Sequence, residues 1–407
     1  MPATRTAPMT AAEVKARARA LGADLVGIAS AATLNAFPPD PRWPQTPQRI
    51  SPYCKSVVVL AQRIPVGAFR CKTNTPVQYM DMLVLRKMDK VAYRLAGEME
   101  AAGHPSFVTA SQETEWDYKR ASYGRLSTRH LGVEAGLGTL GLEVNILTPE
   151  FGPRIYLTGL LTELELDPDQ RITEQVCIGE SCSRCLHSCP ADAVLHFGID
   201  KRQCATEAQE FGFAQIAKFF ERFIDADPLT RHAMIVSRDL FGFWQGLLRV
   251  VGSFGDCPRC LAVCPVGDDY HAHLAGPQKH IPEKTPEKVT LAKKYKAVRA
   301  EHDAGVNSLP GLSEWNRRWV GEEGYQGMVA KQMQAFKKAQ REREAALAAT
   351  QSATQSATQS ATQSATQSAT QSATQAATQA ATQAAPQAAA LATTQATDSP
   401  KDTAGGA

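Results

Sequence analysis

The chain has 407 residues, of which 43% are hydrophobic, and a formal net charge of +3. This length and apolar content suffice for two ordinary domains with their own cores. No apolar run approaches the roughly 20 residues that span a bilayer, and the opening MPATRTAPMT lacks the apolar stretch of a secretory signal, so we expect a cytoplasmic protein without a membrane partner.

Helical and extended patterns alternate along the first 170 residues. Thr10 and Glu13 form a capping box that starts the first helix. The predicted elements in chain order are a helix from Thr10 to about Leu21, strands at Asp24–Ala29 and Ser56–Ala61, a long helix at Tyr79–Ala102, a short extended segment at Ser106–Thr109, a helix at Ser127–Ala135 and a strand at Ile155–Leu164. Such alternation predicts an α/β (α+β) domain over residues 10–170.

The remaining chain divides into three parts. Residues 171–275 contain most of the cysteines, with two or three helices predicted over Phe211–Val251. Residues 276–346 are predicted as a helical C-terminal extension, with a helix through Met328–Ala346. Residues 347–407 carry the repeat ATQS and almost no large apolar side chain, so we predict a disordered tail.

Eight of the ten cysteines fall into two sets. The sets are Cys177-x4-Cys182-x2-Cys185-x3-Cys189-Pro190, and Cys204 followed by Cys257-x2-Cys260-x3-Cys264-Pro265. In two-cluster ferredoxins, the Cys that precedes Pro binds the cluster of the other set. That rule assigns one 4Fe-4S cluster to Cys177, Cys182, Cys185 and Cys264, and a second to Cys257, Cys260, Cys189 and Cys204.

Zinc and disulfides are the alternative uses of these cysteines. A Cys-Pro pair three residues after a C-x2-C pair is typical of clusters, which favours iron–sulfur. The four-residue gap after Cys177 departs from the usual two residues and leaves open whether Cys177 is a ligand. Cys54 and Cys71 lie outside the sets and are expected to be plain cysteines.

Gly136-Leu-Gly138-Thr-Leu-Gly141 matches the G-x-G-x-x-G pattern of dinucleotide-binding loops. That function requires a strand before the loop and a helix after it. Here a predicted helix precedes the loop and an extended segment follows, so we reject a Rossmann site.

The residues around this loop resemble two enzyme families. The stretches that carry the resemblance are His130-Leu-Gly-Val-Glu-Ala-Gly-Leu-Gly-Thr-Leu-Gly141 and Asn145-Ile-Leu-Thr-Pro-Glu-Phe-Gly-Pro-Arg154. They resemble cobalamin-dependent reductive dehalogenases and epoxyqueuosine reductases. In both families, such segments lie between a nitroreductase-like, cobalamin-binding domain and a ferredoxin-like module with two 4Fe-4S clusters. The similarity covers roughly residues 10–270.

The resemblance implies a redox enzyme that holds cobalamin beside one cluster, with electrons passing from the outer cluster to the inner one and then to cobalt. It also implies corrin contact at Gly136, Gly138, Gly141 and Asn145, since glycine lets the backbone approach a flat ligand closely. The alternative is that these glycines only form a tight turn.

The chain departs from both families at two points. Leu142-Glu143-Val144 stands where the families carry a basic residue. The upstream region Tyr118–Arg129 lacks the Asp that donates a proton in epoxyqueuosine reductases. Reductive dehalogenases use a Tyr, so we predict Tyr123 as the donor and Arg129 as its neighbouring cation. Tyr118 and Arg125 are the alternatives for these two roles.

The predicted function is a cobalamin-dependent iron–sulfur oxidoreductase that reductively cleaves a small or nucleoside-like organic substrate. The alternatives are an electron carrier without corrinoid and a tRNA epoxyqueuosine-type reductase. The basic stretch Lys284–Arg299 predicts docking of a ferredoxin or flavodoxin donor through complementary charge. Nucleic acid is expected only under the tRNA alternative, since 14 Lys/Arg against 9 Asp/Glu in residues 276–344 is not a strong basic stripe.

Overall fold

The computed structural model describes residues 9–39, 44–110, 115, 124–249 and 257–305, and, in a second unit that starts at Lys337, positions 342, 345–346, 349, 352 and 370–379. The helices are α1 Ala11–Leu21, α2 Ala31–Ala36, α3 Val66–Phe69, α4 Thr75–Ala101, α5 Thr128–Glu134, α6 Arg184–Ser188, α7 Lys201–Ala208, α8 Phe213–Asp225, α9 Pro228–Ile235, α10 Arg238–Arg249, α11 Arg259–Val263, α12 Tyr270–His273 and α13 Pro286–Asp303. The strands are β1 Leu25–Ser30, β2 Ser56–Arg63, β3 Ser106–Val108, β4 Thr139–Leu140, β5 Ile146–Leu147, β6 Ile155–Thr162, β7 Val194–Leu195 and β8 Gly198–Ile199.

An antiparallel sheet in the order β1-β2-β6-β3 lies at the centre of the first domain. Side chains alternate across it, so Val58 and Leu60 pack with α1 and α4, while Val57 and Val59 pack with α2 and α5. Helices therefore cover both faces of the sheet. The mixed α/β class is confirmed, and each element predicted over residues 10–166 is present with small shifts at its ends.

The glycine-rich loop has the context that excludes a dinucleotide site. Helix α5 precedes it, and β4 and β5 form a hairpin in which Thr139 pairs with Leu147 and Leu140 with Ile146. The turn of this hairpin, residues 141–145, is closed by the Gly141 N–H, which donates to the Asn145 carbonyl over 2.8 Å.

The insertion between the cysteines consists of α8, α9 and α10, as predicted. Several of its large apolar side chains are exposed, including Phe213, Leu229 and Leu247. Among the described helices, none combines the length and apolarity that crossing a membrane requires.

Most of the helix predicted at Met328–Ala346 lies outside the described residues. In the tail predicted to be disordered, residues 370–379 are helical and fully exposed. The Thr374 hydroxyl donates to the Thr370 carbonyl over 2.8 Å, so the described contact is local. An exposed helix of this kind buries no core, and its alanines are the residues with the highest helix propensity.

Replacing Gly27 by Ala is expected to destabilise the first domain. A Cβ at Gly27 in β1 would overlap the Ala135 carbonyl oxygen, so α5 would have to move away from the sheet. We expect a loss of about 1–3 kcal/mol in the free energy of unfolding, measured by urea denaturation. Gly97→Ala is the matched control, because Gly97 is exposed in α4 with no neighbour within 4 Å and should gain about 0.5–1 kcal/mol. Equal stability of the two variants would contradict the close packing of α5 on β1.

Candidate functional site

Each cysteine set is built around a five-residue helix. Cys185 lies in α6 and Cys260 in α11, and the two helices pack against each other. A cysteine therefore precedes, occupies and follows each helix. The packing brings two loops that are distant in sequence into one sulfur-rich region.

The Cys-Pro pairs end both helices. Cys189 has φ −70° and ψ 113°, and Cys264 has φ −69° and ψ 126°, which is extended backbone immediately after a helix. A following proline disfavours helical backbone at the preceding residue. At each of these cysteines the chain consequently turns away from the helix axis. They are the two cysteines that are predicted to bind the cluster of the other set.

Four thiols form a first group, which we call site A: Cys177, Cys182, Cys185 and Cys264. Burial is the largest cause that raises the pKa of Cys185, and the charges of Cys177 and Cys264 raise it further. Burial, Glu143 and Cys182 raise the pKa of Cys177 to about 12. The thiols of site A thus lie close enough to oppose one another's ionisation.

The other four thiols form a second group, which we call site B: Cys189, Cys204, Cys257 and Cys260. Burial, followed by the charges of Cys189 and Cys257, raises the pKa of Cys204 to about 11. The pKa of Cys260 is raised by burial and also by all three of its partners in site B. Because the charge of Cys260 acts on Cys185 as well, the two sites adjoin.

The gap of four residues after Cys177 is absorbed by a 3₁₀ turn at Gly179–Ser181. Glu180 in this turn is buried and accepts from His196 over 2.5 Å and from Arg299 over 3.1 Å. The extra residues therefore anchor the loop to α13 and leave Cys177 beside its partners. Sequence reasoning missed this anchor because Glu180, His196 and Arg299 are far apart in the chain.

N–H groups point at several of the sulfur atoms. The Gly179 N–H donates to the Cys177 sulfur over 3.3 Å and the Ala193 N–H to the Cys189 sulfur over 3.2 Å. Such bonds favour the thiolate form and tune iron–sulfur clusters. In the described part of the chain, no three His, Cys, Asp or Glu side chains surround one point as ligands of a single metal ion would. A cubane binds its four thiolates through separate irons and does not require that convergence.

The turn of the β4–β5 hairpin supplies polar groups to both sites. Glu143 is buried among the thiols, and burial raises the pKa of its carboxyl group to about 7. The Asn145 side-chain amide donates to the Cys260 sulfur of site B over 3.8 Å. The Arg129 guanidinium donates to the Val144 carbonyl over 3.0 Å and lies on the site B side of the turn, where its charge acts on Cys204.

Arg154 joins the α/β domain to the second cysteine loop. Its guanidinium is fully buried, donates to the Cys264 carbonyl over 3.0 Å and the Val266 carbonyl over 2.8 Å, and pairs with Asp269 at 2.5 Å. A buried charge is tolerated only when it is paired and hydrogen-bonded. The contact therefore holds the segment Cys264–Asp269, which begins at the last cysteine of site A, against the start of β6.

A cavity of about 290 Å³ borders site B. Its wall is formed by Val77, Asp81, Thr128, Arg129, Asn145, Ile146, Pro153, Ile155, Tyr156, Leu157, Cys257, Pro258 and Leu261. Polar and apolar groups contribute about equally to the wall, and the polar groups come from α4, α5, the hairpin turn and β6. A concave site with convergent polar groups is suited to a small molecule.

The structure brings together only part of the predicted site. Arg129 and Asn145 lie in the cavity wall. Tyr123, like Tyr118, falls outside the described residues, so the tyrosine donor stays a prediction.

The three loop glycines do not line the cavity. A Cβ would overlap the Gln170 carbonyl oxygen at Gly136 and the Leu147 carbonyl oxygen at Gly138, and would lie 2.5 Å from the Leu147 side chain at Gly141. Protein atoms thus occupy the space on the Cβ side of each glycine, and close packing explains why these positions are glycine. Corrin contact at these residues stays a prediction.

Asp81 and Tyr156 are wall residues that sequence reasoning missed. Asp81 is buried on the inner side of α4, and Tyr156 lies in β6 opposite. Both side chains can carry a transferable proton. The one available signal was Asp81 at a buried position of an otherwise apolar helix face, next to Val77, Val84 and Leu85.

Comparison with known proteins identifies relatives in the two families that the loop resembles. The chain is 24% identical to an epoxyqueuosine reductase of Bacillus subtilis over 63% of this chain and 64% of that protein. It is 28% identical to a tetrachloroethene reductive dehalogenase of Dehalobacter restrictus over 33% of this chain and 21% of that protein. A solved reductive dehalogenase structure superposes with a TM-score of 0.43 and 18% identity, covering 80% of this chain and 41% of the other.

No protein-family model matches the chain. The chain spans 32% to 64% of the epoxyqueuosine reductases it matches first, which is less than two thirds of their length. The chain is accordingly related to the epoxyqueuosine reductases and the reductive dehalogenases. Its homologues are reductases, which are oxidoreductases.

Replacing Arg154 by Met is expected to destabilise the junction between the α/β domain and the second cysteine loop. The change leaves the half-buried Asp269 without its cation and three carbonyl groups without the Arg154 donor. We expect a loss of about 3–5 kcal/mol in the free energy of unfolding, measured by urea denaturation. Arg154→Lys keeps the charge without the fork of donors and should lose less. A Met variant as stable as the unchanged protein would show that the contact does not hold the two parts together.

Glu143→Gln is expected to stabilise the metal-free protein at alkaline pH. The carboxyl has a folded-state pKa of about 7 against 4.5 for the ordinary group, so ionisation disfavours the fold as pH rises through that window. We expect the variant to match the unchanged protein near pH 4.5 and to exceed it by about 3 kcal/mol near pH 8, measured by urea denaturation. A gap that does not change with pH would contradict burial of this carboxyl.

Proposed function

We propose that this chain is an iron–sulfur reductase that carries one 4Fe-4S cluster at site A and one at site B. The observation that carries the proposal is the gathering of eight free thiols, from two distant loops and from Cys204 of α7, into two groups of four. These are the groups expected from the crosswise ligation of two-cluster ferredoxins. The homologues support the assignment to a reductase.

The chemistry of the donor set fits clusters. When bound, such clusters accept and release single electrons. Cys185 and Cys264 are buried, the other six cysteines are half-buried, and N–H groups point at the sulfur atoms of Cys177 and Cys189. Asn145 and Arg129 place an amide donor and a cation on the side of site B that faces the cavity.

The substrate we propose is a small organic molecule bound in the cavity beside site B. Arg129 and Asn145 would orient a polar or anionic group of this molecule, against the apolar surface of Val77 and Leu157. Reduction of a carbon centre consumes a proton as well as electrons. Asp81 and Tyr156 are the described wall residues whose acidic side chains can supply it.

The described cavity beside site B does not fit a whole cobalamin. The cavity of about 290 Å³ is at the lower end for small-ligand sites, and protein atoms pack against Gly136, Gly138 and Gly141. The corrinoid therefore remains a prediction from the family resemblance, and we derive no step through it. An electron-transfer protein without corrinoid is the corresponding alternative.

A tRNA epoxyqueuosine-type reductase is the second candidate function. The absence of an Asp in the region Tyr118–Arg129, upstream of the glycine-rich loop, argues against it in the sequence. The structure provides a carboxyl group from another element, because Asp81 of α4 lies in the cavity wall with Arg129. The relatives named epoxyqueuosine reductase favour the same candidate.

Anaerobic reconstitution with iron and sulfide tests the clusters. We expect about eight irons and eight sulfides per chain, with the broad visible absorption of iron–sulfur charge transfer. Cys204→Ser should remove a ligand of site B and reduce the iron content towards four. Cys71→Ser is the matched control, because Cys71 is exposed and lies outside both sites. Colourless protein, or stoichiometric zinc in place of iron, would overturn the proposal.

Incubation of the reconstituted protein with hydroxocobalamin, followed by gel filtration, tests the corrinoid. Corrin absorbance that elutes with the protein supports the family prediction, and its absence leaves the reductase with clusters alone. Turnover assays with halogenated phenols and with epoxyqueuosine-containing tRNA then separate the two substrate classes. Asp81→Asn should slow the productive reaction by about 10²-fold or more if this carboxyl supplies the proton.

A further inference from the structure

We propose that the loop at site A and the outer side of α13 form a docking surface for an acidic protein that carries single electrons. This inference rests on the proposed function, because it places the entry point of electrons at site A. We call this surface the entry face and define it by Ile178, Ser181, Lys293 and Lys296.

The entry face begins at the ligand loop of site A. Ile178 directly follows Cys177 and is 53% exposed, although it is a large apolar residue. Ser181 directly precedes Cys182 and is also exposed. A partner that covers these two residues would therefore contact the direct sequence neighbours of Cys177 and Cys182.

Helix α13 lies directly over the same loop. Its residues Tyr295 and Ala292 pack in one apolar cluster with Cys185, with Cys177 and Cys260 at the edge of that cluster. A depression of about 450 Å³ separates the helix from the loop. Its wall consists of Ile178, Glu180, Ser181, Lys296, Arg299 and Asp303. The loop and the helix therefore present one continuous surface beside site A.

The cationic side chains of α13 differ in their burial and in their contacts. Lys288 is buried and donates to the Cys189 carbonyl over 2.6 Å, and Arg299 donates to the buried Glu180. These two serve the fold of the cysteine loops. Lys293 and Lys296 are exposed, and their spacing of three residues places them on one side of the helix.

This charge pattern identifies the partner by its chemistry. Exposed lysines around an apolar residue attract a protein with a carboxylate patch around its own redox centre. Such complementary charge raises the rate of encounter, and it does so most strongly at low ionic strength. Each encounter transfers one electron from the reduced carrier to site A, so the carrier is oxidised by one electron and no bond changes.

The position of the cavity agrees with entry at site A. The cavity proposed for the substrate borders site B, where Cys257 forms part of its wall. The entry face borders site A, where Ile178 and Ser181 flank the ligands. A carrier docked at the entry face would leave the cavity beside site B open to substrate.

Charge reversal on the entry face tests the inference with the reconstituted full chain. The probe is a purified, reduced, acidic plant-type 2Fe-2S ferredoxin, and the readout is the bleaching of visible cluster absorption in an anaerobic stopped-flow instrument. Lys293→Glu combined with Lys296→Glu should lower the second-order rate about tenfold at low ionic strength. It should also flatten the dependence of that rate on salt.

Two controls separate docking from damage to the sites. Photoreduced 5-deazariboflavin is a small reductant that needs no protein docking surface and should reduce both proteins at equal rates. Lys87→Glu combined with Lys90→Glu makes the same charge change at two exposed positions of α4, also three residues apart, and should leave the ferredoxin rate within about twofold.

A second readout does not require electron transfer. Carbodiimide cross-linking of the ferredoxin carboxylates, followed by peptide mapping, should place cross-links at Lys293 and Lys296 and not at Lys90. Equal ferredoxin rates for the charge-reversed and unchanged proteins, or no reduction by ferredoxin at all, would overturn the docking inference. Failure of deazariboflavin to bleach the protein would instead overturn the proposed clusters.

Discussion

The buried guanidinium of Arg154 fixes the α/β domain against the second cysteine loop. Arg154 immediately precedes β6, an interior strand that pairs with β2 on one side and β3 on the other, so Arg154 lies at one end of the central sheet. From there it reaches the carbonyl groups of Cys264 and Val266 and the carboxylate of Asp269. Because a buried cation requires all of these partners, the geometry permits little variation. The cavity beside site B depends on this junction, since its wall combines residues of β6 with residues of the second loop.

The glycine-rich segment acts as a close-packed support for the cysteine sites. Gly136 lets the segment lie against the chain at Gln170, and Gly138 and Gly141 let it lie against Leu147 of β5. The turn that follows then places Glu143 and Asn145 among the thiols. The segment Leu142-Glu143-Val144, where the sequence departs from the family pattern, is therefore located at the cysteine sites, and Glu143 supplies a buried carboxyl group there.

The buried carboxyl group of Glu143 makes the two sites electrostatically different. The charge of Glu143 acts on all four thiols of site A and on Cys260 of site B, whereas the charge of Arg129 acts on Cys204 of site B. A nearby negative charge disfavours an added electron and a positive charge favours it. Under the proposed function, this asymmetry favours an electron at site B, the site that borders the cavity.

The sequence by itself determined the features that depend on local spacing. The period of apolar residues located the strands and helices of the first domain, and the capping box at Thr10 located the start of α1. The Cys-x2-Cys and Cys-Pro spacings predicted two groups of four thiols. Such features are readable because backbone preferences act over a few residues.

Only the tertiary structure decided which distant side chains meet. Asp81 of α4 and Cys257 are 176 positions apart in the sequence, yet they form the wall of one cavity. The packing around Gly138, the anchor between Glu180 and Arg299 and the exposure of Lys296 likewise depend on contacts between separate elements. Burial is a property of the assembled core, and no local pattern in the chain specifies it.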